Sequence, residues 1–129
     1  MRRDKPHYRL ECWRQAFDFV PVAYALANSF PTAERYELAS QLRRAATSVP
    51  LNIAEGAGRY SSAEFSRFLL IARGSVTELD TILLLAERLG YITALQADDA
   101  IATLDRVTGL INGLLKTLKQ KEQTQPPTP

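Results

Sequence analysis

The feature that most constrains this chain is a run of apolar residues at helical spacing with a proline inside it. Its apolar residues follow one another every three or four positions, which is the period of an α-helix; they are Leu38, Leu42, Ala45, Val49 and Ile53. Pro50 lies within it, where a proline costs ~3 kcal/mol because it removes one helical hydrogen bond and crowds the preceding turn. Since the apolar period continues to Ile53, we expect a long second helix that is kinked at Pro50 and does not end there.

Two glycines and a serine mark the next boundary. Gly56 and Gly58 can adopt the left-handed conformation that closes a helix, so we expect the second helix to end on them. Ser61 and Glu64 have the spacing of a capping box, in which each side chain accepts a hydrogen bond from a free amide at a helix start. The sequence therefore predicts that a third helix begins at this point.

The first helix is predicted from Leu10 onwards. Its inward stripe is expected to contain Leu10, Trp13, Phe17, Val20, Tyr24 and Ala27. Pro21 lies in the middle of this segment, so the helix is expected either to kink or to break into two shorter pieces. Thr32, with Glu34 after it, is a candidate start for the second helix.

The third and fourth helices have the longest apolar stripes. The third stripe comprises Phe65, Leu69, Ala72, Val76, Leu79, Leu83 and Ala86, and Gly90 is expected to end that helix. The fourth helix, opened by Thr93, has the stripe Ala97, Ile101, Leu104, Val107, Ile111, Leu114 and Leu118. Further apolar residues lie off these stripes, namely Leu51, Ile71, Ile82 and Leu85. One four-helix core cannot cover all of them, so we expect the chain to form a homo-oligomer.

Helices joined by short turns, each with an inward stripe, indicate an all-α fold. The predicted architecture is an antiparallel up-down-up-down four-helix bundle, kinked at Pro21 and Pro50. Residues 1–9 are expected to form a basic arm, residues 10–121 the bundle, and residues 122–129 a disordered tail rich in proline. The arm is interpreted either as a solvated, partly disordered terminus or as a segment that contacts phosphates.

The composition is that of an ordinary globular protein. The chain has 129 residues, a net charge of +2 and a single cysteine, Cys12. It contains no run of roughly 18 uninterrupted apolar residues, which a membrane span would need. One cysteine forms no internal disulfide, which fits a reducing compartment. These features predict one cytoplasmic domain.

The sequence lacks motifs for catalysis and metal binding. The only histidine, His7, lies in the arm, so the Glu-x-x-His pairs of a di-iron bundle are missing. Cys12 has no neighbouring base and is interpreted as a small packing residue. We therefore expect no enzymatic activity, no cofactor and no metal site. Polar residues on the second and third helices are instead expected to form a structural network, in which opposite charges pair between helices or subunits: Asn52, Glu55, Arg67, Arg73 and Glu78.

Several ordered motifs resemble one protein family. They are Glu34-Arg35-Tyr36, Gln41-Leu42-Arg43-Arg44-Ala45-Ala46, Asn52-Ile53-Ala54-Glu55-Gly56, Gly74-Ser75, Glu78-Leu79 and Leu89-Gly90-Tyr91. From about Leu10 to Leu118 the chain resembles the bacterial four-helix-bundle proteins encoded in intervening sequences of 23S ribosomal RNA genes. It is also similar to the accessory variability proteins of diversity-generating retroelements. The resemblance implies a homopentameric ring with a basic surface for RNA or DNA, and it makes a reverse transcriptase a candidate protein partner.

Two functions are compatible with the sequence: a nucleic-acid-binding accessory protein, and a ring-forming scaffold that binds a protein partner without contacting nucleic acid. Positions 1–60 hold nine basic and six acidic residues, whereas the remainder holds seven and eight. This asymmetry favours electrostatic binding to phosphates. The predicted nucleic-acid-binding residues are Arg2, Arg3, Lys5, Arg9, Arg14, Arg43, Arg44 and Arg59. Trp13 and Phe17 are assigned to the core, so no base-stacking surface is expected.

Overall fold

The structure, a computed structural model, describes residues 4–124. Two short 3-10 helices, Pro6–Arg9 and Thr32–Glu34, accompany four α-helices: α1, Glu11–Asn28; α2, Leu38–Ala57; α3, Ser62–Arg88; and α4, Ala94–Thr124. α1 packs against α2 and α4, α2 packs against α3, and α3 packs against α4, so the helices form a bundle around one core. The described residues contain no strand, and the predicted all-α class is confirmed.

Both helix-internal prolines lie in continuous helices. α2 continues through Pro50, which confirms that this proline does not end the helix. α1 continues past Pro21, so the alternative of two shorter helices is wrong. The predicted start of α2 at Thr32 is also wrong, because α2 begins at Leu38. The Glu34 carboxylate accepts a hydrogen bond from the Leu38 amide at 3.1 Å and so satisfies one of the free donors at this helix start.

Glycines close α2 and α3 in different ways. Gly90 follows α3 with a φ of 79°, and its amide and that of the next residue donate to the carbonyls of Glu87 and Ala86 at 3.0 and 2.8 Å. These are the two hydrogen bonds of a Schellman motif, so the predicted end of the third helix is confirmed. The left-handed glycine predicted at the end of α2 is wrong. Gly58 has a φ of −85°, and Gly56 lies buried inside the helix.

Side chains cap the starts of α3 and α4. Ser61 Oγ accepts a hydrogen bond from the Glu64 amide at 3.1 Å, which confirms half of the predicted capping box. The Glu64 carboxylate is instead bound by Arg67 at 2.9 Å. The reciprocal pair occurs at α4, where Thr93 Oγ1 accepts from the Gln96 amide at 3.1 Å and Gln96 Oε1 accepts from the Thr93 amide at 2.9 Å. Each cap supplies a partner for an amide that the helix itself cannot satisfy.

The predicted faces of α2, α3 and α4 form most of the core. The largest fully buried side chains are Leu42, Ile53, Leu69, Leu79, Leu83, Val107 and Ile111. Ile82, predicted to lie off the stripe of α3, is buried with them. Leu51, Ile71 and Leu85 are exposed, as expected for residues outside the core. Of the four residues from which self-association was predicted, three are therefore exposed and available for a contact between subunits.

The predicted inward face of α1 is wrong at Phe17 and Tyr24, whereas Ala27 is buried as predicted and Leu10 and Trp13 are partly buried against the core. The buried residues of α1 are Cys12, Ala16, Phe19, Ala23, Leu26 and Ala27. Phe17 and Tyr24, which were assigned to the core, are 54% and 41% exposed. Small side chains such as Ala16 and Ala23 allow α1 to approach its neighbours closely, and this leaves the large aromatic rings at the edge of the interface.

The C-terminal part of the chain is more helical than predicted. α4 continues to Thr124, so residues 122–124, expected in the disordered tail, are helical. The rest of the predicted tail lies outside the described residues. Among residues 4–124, no helix combines the length and the hydropathy that crossing a bilayer requires. The cytoplasmic location stays a prediction.

Candidate nucleic-acid interface

The described part of the basic arm is folded onto the bundle. Pro6–Arg9 forms a 3-10 helix that packs against α1 and α2. It leads directly into α1, because the Leu10 amide donates to the His7 carbonyl and the Arg14 amide donates to the Leu10 carbonyl, both at 3.1 Å. Residues 6–9 are therefore helical and packed, and the two interpretations of the whole arm, a solvated terminus or a segment that contacts phosphates, stay predictions. Arg2 and Arg3 lie outside the described residues.

Four aromatic rings meet where the arm joins α1, and we call His7, Tyr8, Trp13 and Phe17 the aromatic patch. The His7 ring lies edge-on to Tyr8 and Trp13, with centroid distances of 4.8 and 5.0 Å. Trp13 and Phe17 stack at 4.8 Å with an angle of 23° between their planes. Because Phe17 is 54% exposed, the expectation that the aromatic residues of α1 are confined to the core is wrong.

Two hollows flank the aromatic patch. One has a volume of about 680 Å³ and is lined by the four rings together with Asp4, Arg14 and Asp18. The other, of about 430 Å³, lies between α1 and α2 and has almost purely apolar walls. His7, Trp13 and Phe17 line it from one side, and Pro50, Leu51 and Ala54 line it from the other. The patch therefore separates a charged surface from an apolar one.

Cations and carboxylates alternate beside the patch. Arg9 pairs with Asp4, Arg14 pairs with Glu11, and Lys5 is exposed. The hydrogen bond from Arg14 lowers the pKa of the Glu11 carboxyl below its usual range. Both ion pairs are about half exposed or more. Exposed pairs of this kind contribute little to stability, so a competing anion such as phosphate can replace the carboxylate.

The other predicted binding residues lie on separate surfaces. Arg59 follows α2 and pairs with Glu55 at 2.5 Å. Arg43 donates at 3.0 Å to a carbonyl of the loop that precedes α2. Arg44 lines a groove of about 670 Å³ between α2 and α3, together with Glu78. The structure therefore groups Lys5 with the arginines of the arm and of α1, and it does not bring Arg43 or Arg44 to them.

The charged residues of the predicted structural network make local pairs. Glu55 binds Arg59 four positions later, and Arg67 binds Glu64 at 2.9 Å three positions earlier. Each pair lies within one helix or at its exit. The ion pairs of these residues within 4–124 are local, and the pairing predicted between helices or between subunits stays a prediction. Adjacent residues satisfy these charges because partners one helical turn apart already lie within reach.

Hydrogen bonds of polar side chains connect the helices. The hydroxyls of Ser48 and Ser75 lie 2.8 Å apart across the boundary between α2 and α3, and Asn52 donates to the Ser48 carbonyl at 2.9 Å. Arg73 reaches α4, where it donates to Asn112 at 2.9 Å. The sequence reasoning missed the serine pair. The pair could have been recognised from small polar residues next to the apolar stripes of both helices, where helix backbones can approach closely.

Cys12 is buried in the core, and this burial raises the pKa of its thiol to about 11. A thiol with this pKa is protonated at neutral pH, so it lacks the thiolate that acts as a nucleophile or binds a metal. The His, Cys, Asp and Glu side chains of residues 4–124 form no group of three or more that could hold a metal ion. The lack of enzymatic activity stays a prediction.

Comparison with known proteins decides the family. The family model described as 23S rRNA-intervening sequence protein matches residues 8–113. The chain belongs to this family. The region matched to the 23S rRNA-intervening sequence proteins begins at Tyr8, so it includes Trp13 and Phe17 but not Lys5 or His7.

A solved structure supports the same fold. It is a protein with unknown function from the S23 ribosomal protein family of Bacteroides thetaiotaomicron VPI-5482, and it superposes with a TM-score of 0.75 at 25% sequence identity. The similar region covers 81% of this chain and 98% of the other. No curated protein matches the sequence.

Proposed function

We propose that this protein is a non-enzymatic accessory protein that self-associates and binds nucleic acid at the N-terminal end of α1. The observation that carries the proposal is that Arg14 lines the same hollow as the aromatic patch, while Arg9 pairs with Asp4 of that hollow and Lys5 is exposed next to Asp4 in the chain. Arg2 and Arg3 precede this group in the sequence, so residues 1–18 contain five basic and three acidic residues. A phosphate backbone is attracted to such an excess of positive charge.

The test is a titration with random-sequence DNA and RNA at low and moderate salt. A protein that binds phosphates with several cations loses much of its affinity between about 50 and 200 mM salt. Neutralising Lys5 and Arg9 together, as Lys5→Gln and Arg9→Gln, is expected to weaken binding to both nucleic acids. The matched control neutralises Arg88 and Arg106, which lie on α3 and α4, and should leave the affinity close to that of the unmodified protein.

Three outcomes would contradict the proposal or relocate the site. Failure of the intact protein to bind DNA or RNA at ~50 mM salt, where phosphate contacts are strong, would eliminate nucleic-acid binding. Equal losses from the two double variants would mean that only net charge matters. Normal binding by the Lys5 and Arg9 variant, combined with weak binding after neutralisation of Arg43 and Arg44, would move the site to α2.

Self-association is supported by one face of α3. Leu70, Ile71, Leu84 and Leu85 recur on this face and are between 42% and 51% exposed. Clustered apolar side chains of this kind mark contact surfaces between proteins. A homopentamer, the assembly that the family resemblance implies, would repeat the arm on one side of a ring. Several arms acting on one strand would bind more tightly than one arm alone.

The contacts between neighbouring helices support the predicted up-down-up-down arrangement. Ser48 lies opposite Ser75, and Gly56, further along α2, lies opposite Phe68, which comes earlier in α3. The residue numbers thus rise on one helix as they fall on the other, as in an antiparallel pair. Short connections between all consecutive helices favour the same arrangement. The bends at Pro21 and Pro50 belong to this proposed architecture.

A ring-forming scaffold is the second candidate. It is favoured by the ion pairs Arg9–Asp4, Arg14–Glu11 and Arg59–Glu55, because each carboxylate reduces the positive potential available to a phosphate. In this case the exposed apolar face of α3 would contact protein. The resemblance to retroelement accessory proteins makes a reverse transcriptase the candidate partner. Stable oligomers in sedimentation, combined with no binding to DNA or RNA, would favour the scaffold.

A further inference from the structure

We propose that the aromatic patch is a stacking platform that selects single-stranded nucleic acid over duplex. The inference rests on the proposed function and assigns it a class of ligand. The Phe17 ring stacks on Trp13, and the residue is 54% exposed and lines the hollow beside the patch, so part of it is accessible to a base. The bases of a duplex have both faces covered by neighbouring base pairs. An unpaired base can turn away from its neighbours and stack on an aromatic ring.

α1 leaves Trp13 and Phe17 outside its buried face. Four of its six buried residues are small, namely Cys12, Ala16, Ala23 and Ala27, and the other two are Phe19 and Leu26. Large aromatic side chains gain the most from burial, yet Phe17 lies outside the core and Trp13 is only partly buried. The helix therefore presents its ring system towards solvent, next to the arm.

Cations beside the rings complement the phosphates of a stacked strand. Arg14 lines the same hollow as Trp13 and Phe17, so a phosphate adjacent to a stacked base lies within its reach. Arg9 and Lys5 extend this positive charge along the arm. A cation inside the hollow, Arg14, together with Lys5 and Arg9 on the arm favours a nucleic acid over an apolar protein segment as the occupant.

Carboxylates at the same site predict a weak dependence on salt. Asp4 and Asp18 line the hollow, and Glu11 holds Arg14, so the net attraction for phosphate is moderate. Stacking must then supply a large share of the affinity. Since each phosphate contact to a single strand contributes a slope of about −0.7, three cations predict a slope of about −2 in a plot of log affinity against log salt.

The chain contains a convenient reporter, because Trp13 is its only tryptophan. Single strands of oligothymidylate and oligoadenylate, each of about 15 nucleotides, and the duplex that they form are titrated while Trp13 fluorescence is recorded. We expect the single strands to change the emission and to bind more tightly than the duplex. Loss of one base stack corresponds to about a 5- to 150-fold decrease in affinity, so Phe17→Leu should weaken single-strand binding by that factor.

Two variants separate stacking from apolar contact. Phe17→Tyr retains an aromatic face and should bind single strands like the unmodified protein, whereas Phe17→Leu retains apolar volume but lacks the face. Tyr24→Leu removes a similarly exposed aromatic ring from the same helix outside the patch and serves as the matched control. Because Phe17 and Tyr24 are both exposed, all three variants are expected to fold, which circular dichroism can verify.

The possible outcomes distinguish this inference from the proposed function. If single strands and duplex bind equally well, or if Phe17→Leu binds single strands normally, the inference is wrong while nucleic-acid binding through the arm stands. If Phe17→Leu instead dissociates the oligomer in sedimentation, the patch is a contact with a second copy and the inference is again wrong. If neither single strands nor duplex bind, the proposed function and this inference fail together.

Discussion

Gly56 and Phe68 approach so closely that a Cβ built on Gly56 would stand 2.8 Å from the Phe68 Cβ. The same Cβ would also lie 3.0 Å from a ring carbon of Phe65 and 3.2 Å from the Phe65 carbonyl oxygen. These neighbours belong to the first turns of α3, which therefore packs directly against the last turn of α2. Gly56 is required for this close approach and not for a left-handed turn.

Gly56→Ala is therefore expected to destabilise the protein by ~1–3 kcal/mol. Alanine would improve the helix propensity by ~1 kcal/mol, but the added methyl group has backbone and rigid ring atoms on its far side. Urea denaturation followed by circular dichroism measures the change in the free energy of unfolding. Gly109→Ala in α4 is the control, because a Cβ there meets nothing within 4 Å and helix propensity alone should make it stabilising. Equal stabilisation by both variants would contradict the close packing of α2 on α3.

A second prediction concerns the hydrogen bond between Tyr91 and Glu34, which joins the turn after α3 to the start of α2. The Tyr91 hydroxyl donates to Glu34 Oε1 at 3.2 Å, while Glu34 Oε2 accepts from the Leu38 amide. Tyr91→Phe should lower the free energy of unfolding by ~0.5–1.5 kcal/mol. Glu34→Ala should lower it further, because the helix start also loses a partner. Tyr36→Phe is the control, since this ring is 83% exposed and should tolerate the change.

The double variant Tyr91→Phe, Glu34→Ala tests whether the two side chains act together. Its destabilisation should be smaller than that of the two single variants combined, because both remove the same hydrogen bond. Strict additivity would show that the hydroxyl and the carboxylate contribute independently.

A third prediction follows from the raised pKa of Cys12. The folded protein holds this thiol protonated up to about pH 11, whereas an exposed thiol ionises near 9.0. Above pH 9 the unfolded chain therefore releases a proton that the folded chain retains, so the stability contributed by Cys12 is complete below that pH and is lost as the pH rises towards 11. The loss is at most about 3 kcal/mol.

The measurement compares the unmodified protein with Cys12→Ala between neutral and alkaline pH. The difference in unfolding free energy should be constant up to about pH 9 and should then change in favour of the variant, which has no titrating group at this position. A thiol reagent should label Cys12 slowly in the folded protein and rapidly in urea. Rapid labelling without urea would mean that α1 detaches from the core or that the thiol is accessible.

A fourth prediction concerns the exposed face of α3. Leu84→Glu, combined with Leu70→Glu, should dissociate the proposed oligomer and leave the helical content unchanged, because both side chains are about half exposed and charge is unfavourable in an apolar contact. Leu95→Glu at the start of α4 is the control, since this residue is 69% exposed and lies on another helix. Analytical ultracentrifugation gives the subunit number. Dissociation by the α4 variant alone would place the contact elsewhere.

The sequence predicted α2, α3 and α4 well because their large aliphatic residues lie on one face each. Leu69, Leu79 and Leu83 recur at helical spacing, and each is fully buried. Helix ends with strong local chemistry were also predictable, as at Gly90. The spacing of apolar residues predicts the buried face of a helix correctly where the large side chains are also the buried ones.

α1 could not be predicted in the same way, because two stripes of similar period compete on it. The one with aromatic bulk was assigned to the core, whereas the one with Cys12, Ala16 and Ala23 occupies it. Close approach between helices favours small residues, and a single sequence does not reveal which helices approach closely. The aromatic patch was missed for the same reason, since Trp13 and Phe17 were assigned to the core and His7 and Tyr8 come from the arm.

Pro21 and Pro50 line the same hollow, one from α1 and one from α2. Proline has no amide hydrogen, so the carbonyls of Phe17 and Ala46, four residues earlier on each helix, have no amide donor from their own helix at that position. The ring of each proline lies next to the carbonyl that lacks this donor. Each helix is therefore missing one backbone hydrogen bond beside this hollow, so the weakest turns of α1 and α2 lie at the boundary between these two helices.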